Sequence, residues 1–274
     1  MLFECMPPPL YSRTSGCEHL PHLNLVMRAL GDFHAKWWNH GKRPPLEMYG
    51  HPADHCGVGR NLIKFASKTG LPALRLVFGD KYESVLAWKP LILKKLKWWV
   101  DQIHLPPFTL LHGDVHMDNI FFEESWPKGL KFIDFGNVQH GQAGFDIAYF
   151  LGSNLEPDVR RAHGDELMKT YHEQLLAGGV KGYTIEDCWR SYKLNLFRVL
   201  VNIMFVTYSD FRVSYRKKQG MFAPTPTPAD AKMKETYDNV NRRLCASLVD
   251  AKFDELLQAG ANVHDCCSCC VLCA

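Results

Sequence analysis

The chain has 274 residues, 46% hydrophobic and 22% charged, a balance ordinary for a soluble globular protein long enough to bury a sizeable core. Its formal net charge of +3, from 32 basic and 29 acidic residues, is too slight for a nucleic-acid surface. The pairs Lys94-Lys95 and Lys217-Lys218 read as solvated faces. No run reaches the roughly eighteen apolar residues of a spanning helix; the nearest, 194–208, is interrupted by Arg198 and Asn202 and reads as a buried core helix.

In chain order, residues 1–22 are rich in Pro, Ser and His after a short apolar start, MLFE. That start has no basic region leading into a long apolar one, so no signal peptide is expected and the expected location is cytoplasmic. A helix is predicted over 23–39, where Leu23, Val26, Leu30, Phe33 or His34, and Trp37 recur at helical spacing. Residues 40–60 read as loop, and the lone G-x-G at Gly57-Val58-Gly59 as part of it. A helical segment is predicted from about Tyr82 to Ile103, kinked or divided at Pro90. FTLLHG then begins as a short strand.

The runs NIFFEE (119–124) and LKFIDF (130–135), separated by the turn WPKG, predict a β-hairpin. From Gly144 the pattern is helical: FDIAYFLGSN, then PDVRRAHGDELMKTYHEQLLA, ended by Gly178-Gly179. Thr184 and Asp187 form a capping box opening a helix over 184–208. The PTPTP run (224–228) reads as a linker and 230–258 as a last amphipathic helix. The whole reads as α+β, mostly helix around one small hairpin. A single domain is expected over 1–258, with a disordered tail over 259–274.

Of ten cysteines, Cys5, Cys17, Cys56, Cys188 and Cys245 are scattered as reduced thiols would be, and five crowd the last nine residues, CCSCCVLCA. That cluster is too tight for a tetrahedral zinc site, and Val271 stands where a prenylation signal needs Cys. Palmitoylation and a functionless tail both remain open for it.

The densest chemistry lies in LLHGDVHMDNIFF (110–122). Asp114 and Asn119 sit five apart on a loop that leads into one hairpin strand, and Asp134 ends the other. A hairpin brings its ends together, so Asn119 and Asp134 should meet in space. Carboxylate and amide oxygens at one point suit Mg²⁺. With Asp114 beside them to orient or deprotonate a hydroxyl, they form a kit for phosphoryl transfer. Asp, Asn and Gly are also common turn residues, and HGD or DFG alone means little. It is the full order of HGD, Asn, strand, turn, strand and DFG that carries the reading. A metal hydrolase using His112, His116 and Asp114 has suitable ligand types but leaves the DFG unexplained.

HGDVHMDNIFF followed by FIDFGNVQHGQAGFDIAYFLG resembles the catalytic core of the aminoglycoside and choline kinase-like phosphotransferases, which share the protein-kinase fold. FHAKWW (33–38) is similar to their first C-lobe helix. SGC (15–17), YHEQLLAGGV (171–180) and YTIEDCWRSYKLNLF (183–197) resemble the ecdysteroid-kinase-like, or CHK-like, branch. The resemblance implies a kinase-like fold, mainly its helical C-terminal lobe, and ATP- and Mg²⁺-dependent phosphorylation of a hydroxyl on a small molecule. It implies Asp114 as catalytic base, with His112 bracing its loop. Asn119 and Asp134 become the metal and cofactor ligands, and Asp146, Gly113 and Gly136 supporting residues. Asp146, by itself, reads as a carboxylate in the first turn of a helix. His116 and Asp118 fill variable loop positions, as substrate contacts or solvated residues.

MLFECM matches the hinge strand of the family, which makes Glu4 a cofactor-binding residue and leaves the N-terminal lobe, with its Gly loop, strand Lys and helix Glu, lacking. Truncation, an excised fragment or a degenerate paralogue would each account for that. The retained Asp114, Asn119 and Asp134 favour truncation of an active kinase. The alternative is a catalytically inactive, kinase-like binding or scaffold protein. No nucleic-acid partner and no membrane span are expected, and neither the acceptor nor the oligomeric state is legible.

Overall fold

The computed structural model describes residues 7–39, 70–126, 128–219 and 228–260. MLFECM with Glu4, the loop 40–60 with Gly57-Val58-Gly59, nearly all of PTPTP, and the cysteine cluster lie outside the described residues.

Helix α1 (Leu20–Lys36) opens three residues before the expected start, with a Pro in its first turn where a missing N–H costs nothing. It buries Leu23, Val26, Met27, Leu30 and His34 as one stripe, the i, i+3, i+4, i+7 pattern of a helix packed on one face. Helix α2 (Leu71–Phe78), not anticipated from the sequence, leads through a 3₁₀ turn (Gly79–Tyr82) into the short α3 (Glu83–Leu86) and then α4 (Lys89–Ile103). The expected 82–103 segment is therefore divided rather than kinked. Pro90 occupies the first turn of α4, where no intrahelical hydrogen bond needs its missing N–H. Trp99 of α4 is buried, and its indole N–H donates to the Leu194 carbonyl at 2.8 Å.

Four short strands follow. The expected hairpin is present as β2 (Ile120–Phe122) and β3 (Leu130–Phe132), antiparallel with Ile120 opposite Phe132 and Phe122 opposite Leu130. The strand at FTLLHG is β1 (Thr109–Leu111), and its partner is β4 (Gln139–Gly141). The expectation of one hairpin thus becomes two two-stranded sheets among the described residues. The sequence Gln-His-Gly of β4 carries no apolar alternation, so only its tertiary pairing with β1 makes it strand.

Helix α5 (Gly144–Asn154) is buried along its whole length, as its composition requires: Asp146 is its one charged residue. Against it pack α6 (Pro157–Ala177), α7 (Ile185–Gln219) and α8 (Pro228–Asp250), while α9 (Phe253–Ala259) packs on α4 and α8. A Cβ on Gly144 would fall 2.3 Å from the Ser191 backbone, so glycine is what lets α5 lie against α7. The capping box is formed: the Thr184 N–H donates to Asp187 Oδ2 at 2.8 Å, and the Asp187 N–H to Thr184 Oγ1 at 3.2 Å. Helix α7 runs past the expected end at 208. The last expected helix breaks at Lys252, which takes a left-handed φ of 52° between α8 and α9. Cys17, Cys188 and Cys245 are free and buried. No helix among the described residues is long and apolar enough to cross a membrane.

Candidate active site

The loop from His112 to Asn119 joins β1 to β2, and both of its ends are tied to buried structure. At its start, Asp146 of α5 is fully buried and accepts the N–H of His112 at 2.7 Å on Oδ2 and that of Gly113 at 3.0 Å on Oδ1. His34 of α1 reaches the same carboxylate through Nε2 at 3.1 Å, while its Nδ1 meets the Tyr171 hydroxyl at 2.8 Å. Three elements thus converge on one carboxylate. A buried charge is tolerable only when it is hydrogen-bonded in this way. Nearby, burial lowers Arg198 to about 10, with the charge of Asp146 opposing that shift. Its guanidinium lies 4.4 Å from the centre of the Phe145 ring and donates to Gln139 of β4.

At the loop's far end, Asn154, the last residue of α5, accepts the Met117 N–H at 3.0 Å and donates to the Val115 carbonyl at 3.0 Å. His112 ties the loop to the hairpin. Its Nδ1 accepts the Asp114 N–H at 3.3 Å, so Nε2 carries the proton and donates to the Ile133 carbonyl at 2.9 Å. Gly113 has a φ of +83°, and a Cβ there would sit 2.1 Å from the Asn137 carbonyl oxygen. Only glycine allows the loop to lie against the segment after Phe135-Gly136.

The Ile133 N–H donates to the Asn119 carbonyl at 3.0 Å, continuing the β2–β3 ladder by one pair and setting Asn119 beside the residue that precedes Asp134. Asp134 adopts a left-handed φ of 57°, a region Asp tolerates better than most residues, and Oδ1 accepts the Gly136 N–H at 3.3 Å. Phe135 is left exposed. The amide nitrogen of Asn119 is committed to the Asp114 carbonyl at 3.0 Å and to the His116 ring at 3.1 Å, so its oxygen is the end left to coordinate. Hard oxygens from one amide and one exposed carboxylate fit Mg²⁺, which uses one or two protein carboxylates and completes its shell with water and phosphate. Among the described residues no group of three or more His, Cys, Asp or Glu is placed to hold a metal by itself.

The Asp114 side chain accepts from the Asn137 amide at 3.2 Å and lies 3.4 Å from His116 Nε2. Burial pushes its carboxyl up, but His116, the Tyr149 hydroxyl and the charge of Arg13 outweigh burial and hold it at about 2. Two influences also compete on His116. Burial and Arg13 disfavour its charged form, whereas Asp114 and Asp118 on either side favour it and raise it overall. Its Nε2 edge faces two donors at contact distance, the Arg13 guanidinium and the Asn119 amide, with the Asp114 oxygen farther off. On the other side of the ring, Nδ1 lies 3.4 Å from Asp118 Oδ2.

The structure therefore groups Asp114, His112, Gly113, Asn119, Asp134, Gly136 and Asp146 around one loop and one hairpin end, while Glu4 lies outside the described residues. Sequence reasoning missed His34, Asn154, Tyr149, Asn137 and Arg13. His34 falls on an apolar helix stripe, where a histidine reads as core, and Arg13 lies 105 residues from Asp118.

No curated protein gives a significant match to the chain. Residues 63–179, which hold the HGD loop, the hairpin, the DFG segment and Asp146, match the model of the Ecdysteroid kinase-like family, the branch that the motifs resemble.

Proposed function

We propose that the described residues form the C-terminal lobe of a protein-kinase-like fold and that the chain is an ATP- and Mg²⁺-dependent phosphotransferase acting on a hydroxyl of a small molecule. The family match supports the kinase-like reading. The observation that carries it is the approach of Asn119 to the Asp134 end of the hairpin, with the ionised Asp114 carboxylate on the same loop. When bound, ATP supplies the phosphoryl group and Mg²⁺ neutralises charge on its phosphates.

The chain's own residues supply position and a proton site. Asn119 and Asp134 would hold the metal through their side-chain oxygens. Asp114 orients the acceptor hydroxyl. A carboxylate held at about 2 is a weak base at neutral pH, so it receives the hydroxyl proton only as the new oxygen–phosphorus bond forms and the bond to the leaving diphosphate breaks. Asp146 and His112 hold the loop that presents Asp114, which is the positioning on which this chemistry depends.

The test is Mg²⁺-dependent release of ADP by the chain and by Asp114→Asn. Loss of turnover with ATP binding retained in the variant supports the assignment. ATP binding without turnover in the unaltered chain would favour the inactive, kinase-like binding protein instead.

A further inference from the structure

The loop has a third anchor, outside the matched segment. Residues 12–17 form a tight turn closed by the Gly16 N–H donating to the Ser12 carbonyl at 2.8 Å. Arg243 of α8, which is 1% exposed, grips that turn from below: it donates to the carbonyls of Arg13 at 2.8 Å and Thr14 at 2.9 Å, and its Nε to Glu156 at 2.8 Å. Asn154, which holds Val115 and Met117, also accepts the Cys17 N–H through its backbone oxygen at 3.1 Å. Gly16 has a φ of +70°, and a Cβ on it would fall 2.4 Å from that oxygen. The turn is therefore seated on the same residue that seats the loop.

From this seat Arg13 reaches over the loop. Its Nε donates to Asp118 Oδ2 at 3.2 Å and its backbone N–H to Asp118 Oδ1 at 3.3 Å, while its Nη2 meets His116 Nε2. His116 in turn stands 3.4 Å from the Asp114 carboxylate. We propose that Arg13 is a positioning residue for the His112–Asn119 loop. Fixed at its own carbonyl by Arg243, it clamps Asp118 and His116 so that Asp114 and Asn119 keep their relative placement. The role rests on the reading of Asp114 and Asn119 given above. A guanidinium suits it because its planar fork holds a carboxylate and a ring nitrogen at once, which a lysine cannot reproduce in full.

The experiment is backbone hydrogen exchange on the unliganded full chain, with Mg²⁺-dependent ATP turnover measured in parallel. Arg13→Gln is expected to speed exchange of the 112–119 amides about tenfold and leave α6 and α7 unchanged, since the lost contacts act locally. Arg13→Lys recovers part of that protection. Asp118→Asn, at a half-exposed position, removes the same ion pair from the other side and gives the same result. Turnover falls on the order of tenfold to a hundredfold in Arg13→Gln, with the KM for ATP nearly unchanged, because misplacement affects the reacting geometry and not nucleotide capture. Unchanged loop exchange in both Arg13→Gln and Asp118→Asn overturns the proposal, as does a uniform rise across the helices. Loss of loop protection in a chain whose unaltered form turns over no ATP would instead sink the phosphotransferase reading.

Discussion

Asp146 holds the backbone of His112 from beneath: its Oδ2 accepts the His112 N–H at 2.7 Å from a position with no exposure to solvent. The same carboxylate takes the Gly113 N–H and the His34 ring, so one buried charge sets the entry of the loop and its angle to α1. Asp146→Ala leaves two amide N–H groups and the Nε2 of His34 without a partner in a buried site. The expected loss is roughly 3–5 kcal/mol, the usual cost of breaking a buried charge-assisted cluster. Urea unfolding followed by far-ultraviolet circular dichroism measures it. A loss below about 1 kcal/mol would show that water replaces the carboxylate.

Gly113→Ala should be costly for a different reason. The φ of +83° strains any L side chain, and the new Cβ would meet the Asn137 carbonyl oxygen at 2.1 Å, a backbone atom that cannot swing aside. Backbone strain of this kind costs about 1–3 kcal/mol before the clash is counted. Gly136→Ala serves as the control. Its Cβ would meet only the Asp134 Oδ1 at 3.1 Å, so thermal unfolding should shift much less.

Asp114 makes stability depend on pH in a predictable direction. Its carboxyl titrates at about 2 in the folded chain against an ordinary 3.8. The folded value is the lower one, so the unfolded chain takes up the proton first. The stabilisation is full above the unfolded value and is lost as pH falls through about 2. Its size is about 2 kcal/mol. Between pH 4 and pH 2 the unaltered chain should therefore lose about 2 kcal/mol more than Asp114→Asn loses. Parallel slopes for the two would mean that His116, Tyr149 and Arg13 do not act on this carboxylate.

What the sequence revealed depended on how local the cause was. The β2–β3 hairpin, the break at Pro90 and the Thr184–Asp187 box each follow from residues within a few positions of one another, and each was legible. The β4 strand was not, because Gln-His-Gly becomes strand only against Thr109–Leu111. The set from Asp114 to Asp134 could be assembled from motif order, since a hairpin joins its ends. Its supports came from afar: His34 lies 112 residues from Asp146, and Arg243 lies 230 residues from the Arg13 carbonyl that it holds. Pairings across such separations leave no periodicity to read. A buried arginine on an amphipathic helix looks in sequence like any solvated one.

On the proposed function, the hairpin end formed by Asn119 and Asp134 takes a metal–nucleotide complex. Calorimetric titration of ATP into the 274-residue chain, with and without Mg²⁺, tests it most directly when repeated on Asp134→Ala. Mg²⁺-dependent binding is expected of the unaltered chain, weakened on the order of tenfold to a hundredfold in the variant, which lacks the carboxylate proposed to hold the metal. Binding that ignores Mg²⁺, equal binding by both chains, or no binding by the unaltered chain would contradict it.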